Sequence, residues 1–158
     1  KETEPERENT IYFVIDNVNG LDYKFYLDEE YQDYLWEKLK EKEHTELYEL
    51  FLALMYHESK FNKDAVSATH DHGLMQINAG NESWLKKTLG IKSLDDPYDS
   101  IDCGIYMLLN HYHKYNDIEK ALICYHQGHL GSATSTAYSR SIVNEDLYKL
   151  YPLEKDIE

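Results

Sequence analysis

Apolar side chains recur at Leu47, Leu50, Phe51, Leu54 and Met55, and the next position of that series is a carboxylic acid, Glu58. Steps of three and four residues put all six side chains on one face of an α-helix, the face that other parts of the chain must cover. The pattern therefore commits the chain to a packed helical domain with an ionisable group at the edge of its core. A carboxylate that loses water favours its protonated form, and such a group is a candidate general acid near neutral pH. Fifteen residues later comes Gly73-Leu74-Met75-Gln76-Ile77-Asn78, a short segment able to line a groove in front of that acid. The competing reading of Glu58 is a helix-terminal glutamate that points to solvent.

The rest of the chain reads as mainly α with one small hairpin. Ile11–Ile15 and Tyr23–Leu27 are rich in β-branched and aromatic residues and flank an Asn19-Gly20 pair, which predicts an N-terminal β-hairpin over residues 10–27. Residues 1–9 are charged and lack an apolar anchor, so a disordered acidic tail is expected there, with a second short tail at 153–158. The main domain is expected to run from 28 to 152. Within it, Asp28 is expected to cap a helix carrying Tyr31, Tyr34, Leu35 and Leu39, and Thr45 the helix that ends near Glu58. A short helix is expected around Glu82–Leu89. Ser100 or Asp99 is expected to cap the next, with Ile101, Ile105, Leu108, Tyr112 and Tyr115 on one face. Gly104 inside that helix costs about 1 kcal/mol relative to Ala, which predicts that another backbone approaches closely there. Asp117 caps a helix ended by Gly128 and Gly131, and a last helix is expected to carry Tyr138, Ile142 and Leu150.

Composition narrows the partners. A chain of 158 residues with 42% hydrophobic residues suits one domain with one core. Its net charge of −14 leaves no basic face for nucleic acid or for an anionic membrane surface. No apolar run approaches the roughly 18 residues that would span a bilayer, and no signal peptide is visible. The chain opens at Lys1-Glu2-Thr3-Glu4 without a methionine; removal of a signal or anchor is expected. Fifteen tyrosines suit either an amphipathic helical core or a groove that binds sugars or peptides. Cys103 and Cys124 fall on neighbouring helices, offset along their axes by roughly 7 Å, too far for an easy bridge, so free core thiols are expected.

Several chemistries lack their residues. His57-Glu58 would begin a zinc-binding HExxH, but Phe61 stands where the second histidine is required. His111 and His113 do not share a helix face, and His70 and His72 offer only a loose loop pair, so no metal or other cofactor is expected. There is no GxSxG elbow and no phosphate loop. A buried Glu at a helix end with a following Gly-containing loop fits protonation of a glycosidic oxygen.

The segments Met55–Asn62, Ala65-Val66-Ser67 and Gly73–Asn78 resemble the lytic transglycosylases of the soluble (SLT) type, which share the goose-type lysozyme fold. The resemblance continues through Pro97-Tyr98-Asp99-Ser100-Ile101-Asp102-Cys103-Gly104, Cys124-Tyr125-His126-Gln127-Gly128 and Ala137-Tyr138-Ser139-Arg140. It covers residues 28 to 145, and the ES…GLMQ pair is its most specific part. It implies a lysozyme-like fold and Glu58 as sole acid/base. It further implies Ser59 as a supporting neighbour, Met75, Gln76 and Asn78 along sugar subsites, and Tyr125 and Tyr138 holding acid and substrate. The implied reaction is cleavage of the β-1,4 bond between N-acetylmuramic acid and N-acetylglucosamine with closure of a 1,6-anhydro ring. Two positions depart from the family pattern. His126 replaces an asparagine in the AYNxG element, and Ser100 replaces the helix-start asparagine.

Asp71, just before the Gly73 segment, is either a turn former or a second carboxylate able to activate water, which would make the chain a hydrolytic muramidase. His126 and the net charge motivate a third reading, a wall-binding or secretion scaffold with little catalysis. The resemblance implies peptidoglycan strands as partner, action outside the cytoplasm at a bacterial or phage wall assembly, and a monomer, with a secretion or cell-wall machinery as possible company.

Overall fold

The computed structural model describes residues 10–143 and 150–154; the charged tail expected at 1–9 lies outside the described residues. Two strands open the chain, β1 (Thr10–Val18) and β2 (Leu21–Tyr26). They pair antiparallel from Phe13↔Tyr26 to Val18↔Leu21 across the two-residue turn Asn19-Gly20. Both turn residues have positive φ, 54° and 85°, the conformation that makes Asn-Gly the favoured hairpin turn. A third strand, β5 (Leu150–Glu154), pairs antiparallel with the other edge of β1. Leu150 therefore belongs to a strand and not to the last helix, and the expected domain boundary at 152 falls inside that strand.

The helices are α1 (Glu29–Glu41), α2 (Tyr48–Ser59), α3 (Glu82–Leu89), α4 (Pro97–Tyr115), α5 (Ile118–Gln127) and α6 (Ala137–Val143). A two-residue ladder, β3 (Asp71–His72) with β4 (Ile77–Asn78), stands between α2 and α3. α2 sits at the centre of the core. Phe51, Leu52, Leu54 and Met55 are completely buried, so its apolar surface is wider than the one predicted stripe. The sheet is tied to this core by the fully buried Gln32. Where β2 stops, the Gln32 amide takes over the backbone of Tyr12: Nε2–H donates to Tyr12 O at 2.9 Å and Oε1 accepts from Tyr12 N at 2.9 Å. Tyr48 also donates to Oε1, at 3.2 Å, so the buried amide is well satisfied.

Helix starts differ from expectation at three places. Asp28 stands at the N-cap of α1, but only its carbonyl accepts from the helix, from Tyr31 N and Gln32 N; its side chain accepts no capping bond. Thr45 opens a single 3-10 turn (Thr45–Leu47), and α2 begins after it. The cap of α4 is Asp96, which accepts from Asp99 N, with Pro97 at the first helical position, where a missing N–H costs nothing. Asp117 caps α5 through Lys120 N and Gly128 ends it with φ 83°, as the sequence predicts. Gly131 lies beyond the helix. Cys103 and Cys124 are buried free thiols.

Candidate active site

Glu58 lies in the last turn of α2, one residue before Ser59 ends the helix and Lys60 closes it in a left-handed conformation (φ 52°). Its carboxyl is pushed up to about 7. Burial is the largest cause, a hydrogen bond from Tyr138 works against it, and the charge of Asp71 adds to it. Tyr138, on α6, donates its hydroxyl to Glu58 Oε2 at 2.6 Å. That tyrosine is itself held on two sides. The His126 ring, from α5, stacks on its face with centroids 4.0 Å apart and planes within 8°. His57 meets it edge-on at 5.0 Å. Burial, then the charge of Glu58, raises the Tyr138 hydroxyl well above its ordinary range, so it remains a donor.

The Gly73–Asn78 segment is moulded onto α4 and α5. Gly73 has φ 77°, and a Cβ there would lie 2.8 Å from the carbonyl of Leu94 and 3.1 Å from Ser100 Oγ, so both conformation and space demand glycine. Ser100, fully buried in the first turn of α4, accepts a hydrogen bond from Met75 N at 3.1 Å; it docks the loop and does not cap the helix. Gly104 faces the same segment. A Cβ on it would overlap Met75 Cε and come within 2.7 Å of Met75 Cγ. The close neighbour is thus a side chain, not the backbone the sequence suggested. Tyr125 completes the anchoring by donating to the Met75 carbonyl at 2.7 Å. Gln76 follows in a left-handed conformation (φ 50°) that only a few per cent of non-glycine residues adopt. Its Nε2 donates to the carbonyls of Gly73 (3.0 Å) and Ala65 (3.1 Å), which holds that turn in place.

Asp71 stands on β3. Burial pushes its carboxyl up, but hydrogen bonds from Thr69 (2.7 Å), Asn78 (3.1 Å) and Ser67 (2.8 Å), helped by His72, outweigh it and hold the group below the usual range. The two carboxyls of the site are therefore driven apart, one toward its acid form and the other toward its anion, which is the arrangement that separates acid and base roles.

Glu58, Asp71, Gln76, Asn78, Tyr125 and His126 line one groove of about 600 Å³. Tyr138 reaches it through its bond to Glu58. Ser59 and Met75 do not line it: Ser59 Oγ donates back to Met55 O at 3.1 Å, and Met75 is wholly buried under Gly104. The far wall is a surface that the motifs did not indicate. Asn81 and Trp84 come to it from the start of α3, and Met107, Asn110 and His111 from α4. The last three are spaced i, i+3, i+4, a single helix face, and that spacing was the available signal. Among the described residues no group of three His, Cys, Asp or Glu side chains is placed to hold a metal ion, and no helix is long and apolar enough to cross a membrane.

The helical fold that carries this groove is that of the lysozyme-like SLT domains. The chain belongs to that family: the Transglycosylase SLT domain model matches residues 34–145. Among solved structures it is similar to the 70 kDa soluble lytic transglycosylase of Escherichia coli, with 25% identity over 66% of this chain and a TM-score of 0.55. It is also similar to an inactive mutant of the lytic transglycosylase Slt of Pseudomonas aeruginosa, with 23% identity over 61% of this chain and a TM-score of 0.53. A complex of the 70 kDa enzyme with bulgecin A matches at 23% identity over 71% of this chain, with a TM-score of 0.54. The chain spans only 17%, 16% and 18% of those chains, respectively. No curated protein matches it significantly by sequence.

Proposed function

We propose that this chain is a peptidoglycan lytic transglycosylase with Glu58 as its sole acid/base, acting on the wall outside the cytoplasmic membrane. The observation that carries this reading is the Tyr138–Glu58 pair: a carboxyl pushed up to about 7, hydrogen-bonded on Oε2 at 2.6 Å, in a groove of about 600 Å³. Because Oε2 accepts from Tyr138, the acid proton belongs on Oε1. Glu58 gives that proton to the oxygen joining C1 of N-acetylmuramic acid to C4 of N-acetylglucosamine as the C1–O bond breaks. The carboxylate so formed then takes the proton of the muramoyl C6 hydroxyl, whose oxygen closes on C1. The products are a 1,6-anhydro end and a free 4-hydroxyl, and Glu58 is again protonated. Nothing in this cycle calls on a second carboxylate.

Asp71 supports a second reading. Kept as an anion in the same groove, it could draw a proton from water that attacks C1, which would give hydrolysis. Its four oxygen lone pairs are already partly committed to Thr69, Ser67 and Asn78, which favours ring closure. Mass spectrometry of fragments released from purified peptidoglycan separates the two: anhydro ends mean ring closure and reducing ends mean hydrolysis. Glu58→Gln is expected to lower release by about 10³-fold or more; equal release by both proteins would end the proposal.

A further inference from the structure

Four of the five large apolar side chains that stand exposed among the described residues, Leu21, Tyr23, Tyr26 and Val66, do not line the groove. The fifth, Trp84, is 39% exposed and lines it. Its indole N–H is already given to Asn81 Oδ1 at 2.8 Å, so the ring is held by a neighbour at the start of its own helix and has no donor left for a ligand. What it offers the groove is an apolar π surface. Asn81 and Asn110 line the same groove and supply amide groups around that surface; the amide of Asn78, which also lines it, is committed to Thr69, Asp71 and Gly80. A flat aromatic ring with fixed orientation, set among amides and with no lysine or arginine lining the groove, matches an uncharged pyranose that bears an N-acetyl group. The C–H face of such a sugar covers the ring while its hydroxyl and acetamido groups meet Asn81 and Asn110.

We propose that Trp84 is a stacking platform for an N-acetylhexosamine ring of the glycan strand, a subsite on the wall formed by α3 and α4. The proposal deepens the function proposed above and rests on the same groove, but it concerns binding and not bond cleavage. The chain contains only two tryptophans. Trp36 is buried against Tyr48 at 5.2 Å, so a change of indole emission on ligand binding reports Trp84. The test uses the Glu58→Gln chain and tri-N-acetylchitotriose, a neutral oligosaccharide that cannot report on ring closure. Titration is expected to give a saturable emission change that disappears in Trp84→Phe, while the Trp36 emission stays. By calorimetry Trp84→Ala is expected to bind about tenfold or more weakly, and Trp84→Tyr to keep most of the affinity. With Glu58 intact and peptidoglycan as substrate, Trp84→Ala raises KM and changes kcat little.

Absence of binding, saturable binding with unchanged Trp84 emission, or equal affinity of Trp84→Ala would each overturn the platform. These failures are distinct from failure of the catalytic reading. A chain that releases fragments normally as Trp84→Ala, with unchanged KM, keeps its catalysis and loses this subsite. A chain that binds the trisaccharide through Trp84 but never releases fragments does the reverse.

Discussion

Burial alone does not set the proton affinity of Glu58; Tyr138 pulls it back. The hydroxyl at 2.6 Å favours the carboxylate, so its removal must leave the acid still harder to ionise. Activity that needs protonated Glu58 falls as pH rises through about 7. In Tyr138→Phe that basic limb of kcat/KM is expected at higher pH, together with a lower plateau because the acid is less well positioned. A pH–rate profile of the two proteins checks this, and an unmoved limb would detach Tyr138 from the acid. The same shift carries a stability cost. Glu58 has a folded value of about 7 against an ordinary 4.5, so the native state holds its proton where the unfolded chain releases it. Its contribution is therefore full below about 4.5, declines as pH rises from there through about 7, and is then constant, a total of about 3 kcal/mol. Glu58→Gln does not titrate. Its stability relative to wild type should rise by about that amount between pH 4.5 and 8, as measured by urea unfolding at a series of pH values.

At the scale of elements, α4 and the Gly73–Asn78 segment form one unit that aims the groove. Gly104→Ala gains helix propensity of about 1 kcal/mol but drives a methyl group into Met75, whose Cγ would be 2.7 Å away. Overpacking in a closed core costs about 1–3 kcal/mol, so a net loss of up to about 2 kcal/mol is expected. Activity should fall further than stability explains, since Met75 adjoins Gln76 and holds the Tyr125 bond. Thermal unfolding and turnover of the same variant check both parts. Much of the helical frame around this unit is legible in the sequence: the register of Leu47 to Glu58 marks α2 and places Glu58 on its core face, and Asp117 and Gly128 mark the limits of α5. The strand Leu150–Glu154 is not, because its residues read equally well as the end of a helix and its only strand signal is its pairing with β1. The sequence offers Ser100 and Asp99 as caps of α4, but Asp96 caps it by accepting from Asp99 N, and the buried Ser100 hydroxyl takes Met75 N instead. The α3–α4 wall is not legible in the sequence for a related reason. Trp84, Asn110 and His111 sit on exposed or half-exposed helix surface, where polar residues are ordinary and only the tertiary fold brings them opposite Glu58.

At the scale of the whole molecule, the charge of −14 bears on encounter with the proposed substrate, because anionic wall polymers would repel the chain. The groove does not share the difficulty: Asn78, Asn81, Asn110 and Trp84 line it, and one of its two carboxyls is held toward its neutral form. Repulsion therefore acts on the approach and not on the bound sugar. Its range is the Debye length, about 30 Å at 10 mM salt and about 8 Å at 150 mM, so salt should relieve it. The initial rate on intact wall material is expected to rise roughly two- to tenfold between those ionic strengths. The affinity of the Glu58→Gln chain for tri-N-acetylchitotriose, which carries no charge, should stay flat over the same range. A rate that falls with salt would mean that encounter is attractive and that a cationic patch, not the neutral groove, makes first contact with the wall.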